Sequence, residues 1–490
     1  MTVVTIDTFD GGHAEDLRTH ATNECAFSRN FDLFTNPHTL IPFPDSIPET
    51  LTGDYAMNDI QLSDVGVSLF ANNYSFTALG GKTDISTKAS FYIKSAINSK
   101  WEITASGTTT FIQGSQIIYQ GKAYALTYDG TQYSLIRFEG TGSVTLVGSV
   151  TGTKFAKPIV CRIDTTLYFA VDNIIVKYDG STFDDNAKTI ADTNLYIASI
   201  TSYGIYLAVT TQNKSGEGAS YCYLWGRDTS SSFLQESIYL GECEAVVVEN
   251  LDNSLIFVTI PTSFNGTSIN PKFEIKRYIS GEIVTLKSIS LPYLQRPSVY
   301  KAKNSNRLYF GCNNDVAVYV VGKNKSGNYI VTQERFYKNG SIIGSGLGNI
   351  SIIGDIMWTG SWSGEGVYSL DRTRSLADGL AYNSISQYRT TINPSMPIAD
   401  RISDKKLESV AVLYTGASSG ITGLKYSVDG SAFTSIISQT NVTGEHIIKA
   451  SAENDGNPFM SGNEIQFQIE SSGGAQIKEI KYVYSKLSTI

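Results

Sequence analysis

The sequence predicts an all-β fold: a six- or seven-bladed β-propeller, with seven blades preferred, followed by a small antiparallel β-sandwich. Composition is the first observation behind this prediction. The 490 residues include 29 Tyr, 22 Phe and 43 Gly, which favour strands and tight turns. Periodicity is the second, since no window of eleven or more residues shows helical apolar spacing free of Gly or strand formers. The third is a repeat of short strands.

The repeat is clearest in residues 159–180, IVCRIDTTLYFAVDNIIVKYDG. Apolar runs at 159–163, 167–171 and 174–178 predict three short strands joined by two tight turns. Asp179 and Gly180 mark the next turn, because Asp-Gly pairs favour hairpins. The Asp179 carboxylate is therefore interpreted as a turn residue and not as a catalytic acid.

Similar units recur along the chain at intervals comparable with the roughly 40 to 50 residues of a four-stranded propeller blade. One residue from the middle of each unit marks the six clear units: Tyr124, Tyr168, Tyr206, Ile256, Tyr309 and Met357. A weaker seventh unit is predicted between residues 65 and 100, around a turn at Gly80 and Gly81. The alternative is a pair of β-sandwiches whose strand spacing is coincidental.

Four segments are predicted from these patterns. Residues 1–64 form an extended leader or arm, 65–390 the propeller, 391–405 a proline-containing linker and 406–490 the sandwich. In the leader, Phe27, Phe31 and Phe34 have the spacing of one face of a short helix, while the prolines that follow require an extended path. The leader is expected to lie along the outside of a larger body, held by its phenylalanines.

Alternation is regular near the carboxyl end of the sequence. Ile465, Phe467 and Ile469 fall on one face of a predicted strand, while Gln468 and Glu470 fall on the other. Because antiparallel sheets commonly pack one face on a core and leave the other in water, this pattern predicts a sheet with one wet face.

The charge balance argues against several classes of partner. The chain has 46 acidic and 38 basic residues, a net charge of -8, and no basic cluster, so nucleic acid is not expected as a direct ligand. Neither a signal-peptide pattern nor an apolar run of about 18 residues is present, which predicts no secretion signal and no membrane span. The five cysteines are interpreted as small buried side chains, although Cys222 and Cys243 could pair if their strands are adjacent.

No constellation in the sequence predicts catalysis, a metal or a cofactor. His13 and His20, with Glu15, Asp16 and Cys25, do not match a zinc-ligand spacing. No nucleophile, phosphate-binding or dinucleotide motif occurs. A sugar-stacking role is conceivable for two tryptophans in a glycine-rich stretch, with propeller core as the alternative interpretation: Trp358 and Trp362.

The two ends of the sequence resemble a group of tailed-bacteriophage structural proteins. Residues 11–43, GGHAEDLRTHATNECAFSRNFDLFTNPHTLIPF, contain the Gly-Gly, acidic-Arg and Phe-Asp-x-Phe features that precede a propeller in that group. The closing YSVDGSAF and EIQFQIESSGGAQIKEIKYVYSKL are similar to its carboxyl-terminal β domain. The resemblance implies a virion component of the tail or the head-to-tail region that works by assembly.

The expected function is therefore that of a non-enzymatic structural protein of a tailed-phage virion, made in the host cytoplasm. Its expected partners are neighbouring virion proteins and copies of itself in a symmetric assembly. Five leader residues are assigned as assembly contacts: Phe27, Phe31, Phe34, Asp16 and Arg18. One alternative is a tail protein that binds a host receptor or surface glycan through Trp358 and Trp362. A further alternative is a propeller glycosidase, which needs two carboxylates at a set separation.

Overall fold

A computed structural model of the chain describes a defined set of residues. These are residues 1–9, 11–13, 24–25, 27–29, 31–48, 60–62, 67–69, 74–76, 79–81, 90–95, 101–106, 110–120, 122–128, 131–138, 144–153, 161–226, 236–261, 272–290, 299–304, 306–312, 317–335, 337–338, 341–342, 347–353, 356–361, 367–371, 386–391, 404–416, 420–438, 443–451 and 461–487. Their regular structure is entirely β, which confirms the predicted class. None of the described residues forms a helix that could cross a membrane.

The strands of the described residues are numbered β1 to β46 in chain order. The first half are β1 (Thr2–Ile6), β2 (Gly12–His13), β3 (Glu24–Cys25), β4 (Phe27–Arg29), β5 (Phe31–Asp32), β6 (Ile41–Pro42), β7 (Ile47–Pro48), β8 (Ile60–Leu62), β9 (Val67–Leu69), β10 (Tyr74–Phe76), β11 (Leu79–Gly81), β12 (Ser90–Ser95), β13 (Trp101–Ser106), β14 (Thr110–Tyr119), β15 (Lys122–Tyr128), β16 (Gln132–Phe138), β17 (Val144–Thr151), β18 (Cys161–Ile163), β19 (Thr166–Val171), β20 (Ile174–Tyr178), β21 (Phe183–Thr189), β22 (Leu195–Tyr203) and β23 (Tyr206–Asn213). The second half are β24 (Ser220–Trp225), β25 (Glu236–Gly241), β26 (Cys243–Leu251), β27 (Ser254–Pro261), β28 (Lys272–Ile279), β29 (Glu282–Ser290), β30 (Val299–Lys303), β31 (Arg307–Cys312), β32 (Ala317–Lys323), β33 (Tyr329–Arg335), β34 (Tyr337–Lys338), β35 (Ser341–Ile342), β36 (Leu347–Ile353), β37 (Ile356–Ser361), β38 (Val367–Asp371), β39 (Ser386–Thr391), β40 (Lys405–Gly416), β41 (Ile421–Val428), β42 (Thr434–Ile437), β43 (Gly444–Ser451), β44 (Ser461–Gly462), β45 (Ile465–Ser471) and β46 (Gln476–Lys486).

The chain divides into two compact units. Unit 1 comprises Met1–Ser46, Val318–Ile342 and Leu370–Ile490, and unit 2 comprises Ile47–Ala317 and Ile343–Ser369. These units run across the boundaries predicted at residues 64, 390 and 405. The reason is that strands from both ends of the chain are paired within unit 1, which sequence proximity does not reveal.

Unit 2 contains several antiparallel sheets in which consecutive strands are neighbours. Four of these sheets have the orders β14-β15-β16-β17, β18-β19-β20-β21, β22-β23-β24-β25 and β26-β27-β28-β29. The six marker residues lie in β15, β19, β23, β27, β31 and β37, and each of these strands pairs with the strand that precedes it in sequence. A series of four-stranded antiparallel sheets is the arrangement expected of a β-propeller.

The repeat unit at residues 159–180 folds as the sequence predicts and adds a fourth strand. Strands β18, β19 and β20 match the three apolar runs, and β21 completes the sheet. Asp164 and Asp172 form the two tight turns with φ of 51° and 50°, a left-handed conformation that Asp tolerates better than most residues. Asp179 Oδ1 accepts hydrogen bonds from the amides of Ser181 at 2.9 Å and Thr182 at 2.7 Å, which confirms its role in the turn.

The sheets of unit 2 meet through their first strands. β14 contacts β18, β18 contacts β22, β22 contacts β26, β26 contacts β30 and β30 contacts β36. β36 contacts β8, and β8 contacts β14, so the series of contacts returns to its start. Between β14 and β29, neighbouring sheets bury apolar side chains against one another, as Leu126 and Leu135 do against Phe169 and Val176.

The sheet that begins with β36 takes its outermost strand from the start of unit 2. Its order is β36-β37-β38-β7, with Tyr368 opposite Pro48 and Ser369 opposite Ile47. A proline is tolerated there because an edge strand needs fewer amide donors. Residues far apart in sequence therefore join one sheet.

The weak unit predicted at residues 65–100 is a sheet of order β13-β12-β10-β9. The turn predicted at Gly80 and Gly81 is wrong, since both residues lie in β11 and pair with Gln61 and Ile60 of β8. Glycine permits a turn but does not require one, and here the pairing with β8 keeps the backbone extended.

Unit 1 contains two larger sheets. One has the order β1-β46-β40-β43, with β44 also paired to β40, and the other contains β32-β33-β4-β39-β45-β41-β42 in that order. The smaller pairs are β2 with β3, β5 with β6 and β34 with β35. Phe467 of one sheet and Tyr482 of the other lie with ring centroids 5.6 Å apart, and both are fully buried. The core of unit 1 lies between these sheets.

The helical face predicted for Phe27, Phe31 and Phe34 is wrong. Phe27 begins β4 and Phe31 begins β5, so the backbone is extended at both. After β5 the chain turns, because Asp32 Oδ1 accepts hydrogen bonds from the amides of Phe34 at 2.9 Å and Thr35 at 3.2 Å. Phe31 and Phe34 are only 1% and 3% exposed, so they belong to the core of unit 1.

The wet face predicted for the strand at residues 464–470 is wrong in part. Ile465, Phe467 and Ile469 are buried as expected, but Gln468 and Glu470 are also only 4% and 6% exposed. β45 lies between β39 and β41, and long polar side chains from these strands cover that face.

Both ends of the predicted linker are strand residues. Thr391 ends β39, and Lys405 begins β40 with its Nζ donating to the carbonyl oxygen of Asn463 at 3.0 Å. Residues 392–403 lie outside the described residues. The segment between β39 and β40 therefore begins after residue 391 and ends before residue 405.

All five cysteines are free thiols, so the pairing of Cys222 with Cys243 does not occur. Both of these side chains are buried in unit 2. Burial raises the pKa of each thiol, which favours the neutral form expected of a small core side chain.

Candidate functional site

The first candidate site is the edge of unit 1 formed by β1. Thr2 to Ile6 pair antiparallel with β46 from Tyr484 to Ile480, and among the described residues β1 ends this sheet. An edge strand presents backbone N–H and C=O groups that can pair with a strand of another molecule.

The sequence of β1, TVVTI, favours an extended strand because all five residues are β-branched. Ile6 is buried and anchors the strand, whereas Val3 is 56% exposed. The strand carries no charged residue and no proline, the residue types that commonly discourage pairing at edges. β1 therefore lacks the residue types that commonly block strand pairing at an edge.

Sequence reasoning missed β1 because it treated residues 1–64 as one leader. The available signal was the run of five β-branched residues directly after Met1, a pattern typical of strands. Its partner β46 lies at the other end of the chain, and no local pattern identifies that pairing.

The second candidate site is a buried carboxylate in unit 2, held by the first strands of three successive sheets. Glu249 of β26 accepts a hydrogen bond from Thr201 Oγ1 of β22 at 2.7 Å. From β30, Lys301 Nζ donates to Glu249 Oε2 and Lys303 Nζ to Glu249 Oε1, each at 3.0 Å. We call this group the carboxylate clasp: Thr201, Glu249, Lys301 and Lys303.

The electrostatics of the clasp favour the ionised carboxylate. Burial alone would raise the pKa of Glu249, but the charges of Lys301 and Lys303 and the hydrogen bond from Thr201 outweigh it and lower the pKa to about 2. Glu249 is therefore a fixed negative charge near neutral pH. The arrangement can hold β22, β26 and β30 together.

Side chains also join β22 and its neighbour β23 to β26. Ser199 Oγ accepts a hydrogen bond from the amide of Val248 at 3.1 Å, and Thr210 Oγ1 lies 3.3 Å from the carbonyl oxygen of Ala245. Buried hydroxyls thus satisfy backbone groups between successive sheets. With the clasp, they hold unit 2 together by polar as well as apolar contacts.

The structure brings few of the predicted site residues together. Phe31 and Phe34 are buried in unit 1, so the exposure expected of a docking arm is absent for both, and their assembly role stays a prediction. Phe27 lies in β4 and Trp358 in β37, but only their backbones are described. The remaining three lie outside the described residues: Asp16, Arg18 and Trp362.

The described residues also offer no metal site. Among the described residues, no group of three or more His, Cys, Asp or Glu side chains could hold a metal ion. His20, Glu15 and Asp16 lie outside those residues, while Cys25 is buried and its Sγ lies 3.3 Å from the carbonyl oxygen of Gly12.

Comparison with known proteins gives structural likenesses only. No family model and no curated protein matches the chain. The WD40 domain of Toxoplasma gondii coronin has a TM-score of 0.44 at 10% identity, covering 70% of this chain and 87% of its own. BamB from Moraxella catarrhalis has 0.39 at 11%, covering 68% and 99%. An exo-beta-1,3-galactanase from Phanerochaete chrysosporium has 0.33 at 11%, covering 90% and 100%. No function is taken from likenesses this distant.

Proposed function

We propose that the chain is a non-enzymatic structural component of a tailed-phage virion, of the tail or the head-to-tail region, that acts through assembly contacts. The observation that carries the proposal is the exposed, uncharged edge of β1. Such an edge suits the addition of a strand from a neighbouring subunit or another virion protein.

The scaffold behind this edge is proposed to be a seven-bladed propeller in unit 2 and a β-sandwich in unit 1. Seven first strands support the blade number, because they contact one another in a closed series: β8, β14, β18, β22, β26, β30 and β36. The contact of Phe467 with Tyr482 between two sheets supports the sandwich.

Two of the residues that carry the phage resemblance, Gly12 and Asp32, have structural roles in unit 1. Gly12 has φ of 73°, and a Cβ there would lie 2.7 Å from Cβ of Ile330. Asp32 makes the turn that follows Phe31. Because these motif residues determine backbone geometry, their presence supports a fold at the chain ends like that of the phage proteins. Such a shared fold is expected if the chain is an assembly protein.

The proposal is tested on particles produced by the genome that encodes the chain. Purified particles are analysed by quantitative mass spectrometry, and the chain is expected at a constant ratio to the main tail protein. The variant Val3→Lys places a charge on the β1 edge and is expected to reduce incorporation several-fold, since lysine discourages edge pairing.

The matched control is Ile205→Lys, which adds the same charge at an exposed turn of unit 2. It is expected to enter particles normally. Absence of the wild-type chain from particles, while it is abundant in the lysate, would show the proposed function to be wrong. Equal incorporation of both variants would show that β1 is not the assembly contact.

A further inference from the structure

The face of unit 1 that was expected to be wet is a network of long polar side chains. They project from four neighbouring strands, β4, β39, β45 and β41. We call this set the polar face: Arg29, Gln387, Arg389, Lys425, Gln468 and Glu470. In the strand register, Gln387 is opposite both Arg29 and Glu470, and Gln468 is opposite both Arg389 and Lys425.

Hydrogen bonds run continuously across the polar face. Arg29 Nη2 donates to Gln387 Oε1, and Gln387 Nε2 donates to Glu470 Oε1 at 3.0 Å. Arg389 Nε donates to Gln468 Oε1, while Lys425 Nζ lies 2.9 Å from Glu470 Oε1. The side chains are therefore held in defined positions before any ligand arrives, which lowers the entropy cost of binding.

Three of the four charged side chains in this set are positive. Arg29, Arg389 and Lys425 are positive, whereas Glu470 is the negative member of the set. The next carboxylate on this side of β45, Glu464, is six positions away, or about 20 Å at the usual rise of a strand, and bonds to Gln466. Burial, and after it the charge of Arg29, lower the pKa of Arg389, while the charge of Glu470 raises it.

The guanidinium of Arg389 is fixed in orientation as well as in position. Its Cζ lies 4.6 Å from the ring centroid of Phe433, over the aromatic face. A planar guanidinium held in this way suits an oxyanion, because its parallel N–H groups match the two oxygens of a carboxylate.

A buried amide borders the positive end of the polar face. Gln333 of β33 is opposite Arg29, and its Oε1 has no hydrogen-bond partner among the described residues although the side chain is buried. Buried polar atoms are normally satisfied, so this oxygen is able to accept a hydrogen bond from a hydroxyl or amide of a ligand. A ligand with both hydroxyls and an acid group would supply the donor and the negative charge.

We propose that the polar face binds the carboxylate of an acidic carbohydrate. Arg29 and Arg389 would bind the carboxylate, and the amides of Gln333, Gln387 and Gln468 would bind sugar hydroxyls. Amides suit hydroxyls because each offers both donors and an acceptor. This activity goes beyond the assembly role, and it is tested on the isolated full-length chain.

The experiment is titration calorimetry with four probes. Tetragalacturonate and a trimer of N-acetylneuraminic acid carry carboxylates on sugars, methyl-esterified tetragalacturonate has the same sugar without charge, and pyrophosphate is an anion without sugar. At least one acidic sugar is expected to bind, with the ester and pyrophosphate at least about tenfold weaker, the effect of losing one charge-assisted hydrogen bond.

Two variants place the binding on the polar face. Arg389→Lys keeps the charge but removes the planar fork, and it is expected to weaken binding about tenfold or more. Lys478→Gln removes a positive charge on the other sheet of unit 1, where Lys478 pairs with Glu445, and it is expected to leave binding within about twofold. Arg389→Gln is added, with circular dichroism to check its fold.

Four results would overturn the proposal: no binding of either acidic sugar at millimolar concentration, equal binding of the methyl ester, pyrophosphate binding as tight as the sugar, or unchanged affinity in a folded Arg389→Lys. The third result would identify a general anion site instead. Since Arg389→Lys retains charge and volume, the test stays decisive even where Arg389→Gln fails to fold.

Discussion

At the scale of single residues, the ionisation of the Glu249 side chain contributes to the stability of unit 2. Its pKa of about 2 lies below the 4.5 of an unperturbed Glu. The clasp therefore stabilises unit 2 fully above pH 4.5, and this contribution is lost as the pH falls through 2. The shift corresponds to about 3 kcal/mol, and Glu249→Gln is expected to lower the free energy of unfolding at pH 7 by a similar amount. Urea unfolding at pH 7, 4 and 3 measures both effects.

The control for this prediction is Glu445→Gln. Glu445 pairs with Lys478 as Glu249 does with lysines, but it is exposed. The expected loss is below about 1 kcal/mol, because water screens exposed ion pairs. A Glu249→Gln chain as stable as the wild type at pH 7 would show that the clasp contributes nothing to stability.

The clasp also shows what residue patterns do and do not predict. The apolar strands and Asp-Gly turns of residues 159–180 are local features, and the sequence predicted them correctly. Lys301 and Lys303, by contrast, lie 52 and 54 positions from Glu249, and their meeting depends on how one sheet packs against the next. The sequence around a charged residue does not indicate which distant residue it will pair with.

Between elements, the contact of β22 with β26, which belong to neighbouring sheets, depends on the buried hydroxyl of Ser199. Ser199→Ala would leave the amide of Val248 buried without its acceptor, so the free energy of unfolding is expected to fall by about 1 to 3 kcal/mol. Amide exchange at Val248 should become faster, while exchange within β28 should not change. Hydrogen exchange with mass spectrometry measures both.

Ser181→Ala serves as the matched control at the level of elements. The Ser181 hydroxyl also makes a hydrogen bond, to Asp179 Oδ1 at 2.8 Å, but it lies in an exposed turn. Its loss is expected to change stability by less than about 0.5 kcal/mol, since water replaces it. Equal stability of the two variants would show that the Ser199 hydroxyl does not help to join β22 to β26.

Element pairing is also where the sequence was least informative. The alternation of residues 464–470 predicted one wet face, yet Gln468 and Glu470 are buried because β39 and β41 supply polar side chains that cover them. The pairing of Ile47 with Ser369 joins residues from distant parts of the chain. Local periodicity predicts that a strand exists, but its neighbours follow from tertiary packing.

At the scale of the whole molecule, residues 1–46 could be either an attached arm or an integral part of unit 1, and a deletion separates these two cases. Deleting an arm would leave unit 1 folded. In the structure, however, the segment contributes strands to both larger sheets of unit 1, and its buried apolar residues include Ile6, Phe9, Phe31, Phe34 and Leu40. At roughly 1.5 to 3 kcal/mol for each large side chain, these five contribute about 7.5 to 15 kcal/mol, as much as the roughly 5 to 15 kcal/mol that typically stabilises a domain. Deletion of residues 1–46 is therefore expected to unfold unit 1.

The two units can be followed separately in this deletion variant. All four tryptophans, at positions 101, 225, 358 and 362, lie within the residue ranges of unit 2, so tryptophan fluorescence reports on unit 2. Its emission should stay that of the full-length chain, while the amides of β46 in unit 1 should lose protection from hydrogen exchange. Val3→Lys is the control, because it keeps the whole segment and should leave β46 protected. Protected β46 amides in the deletion variant would mean that residues 1–46 are an arm after all, because unit 1 would then fold without β1 and β4.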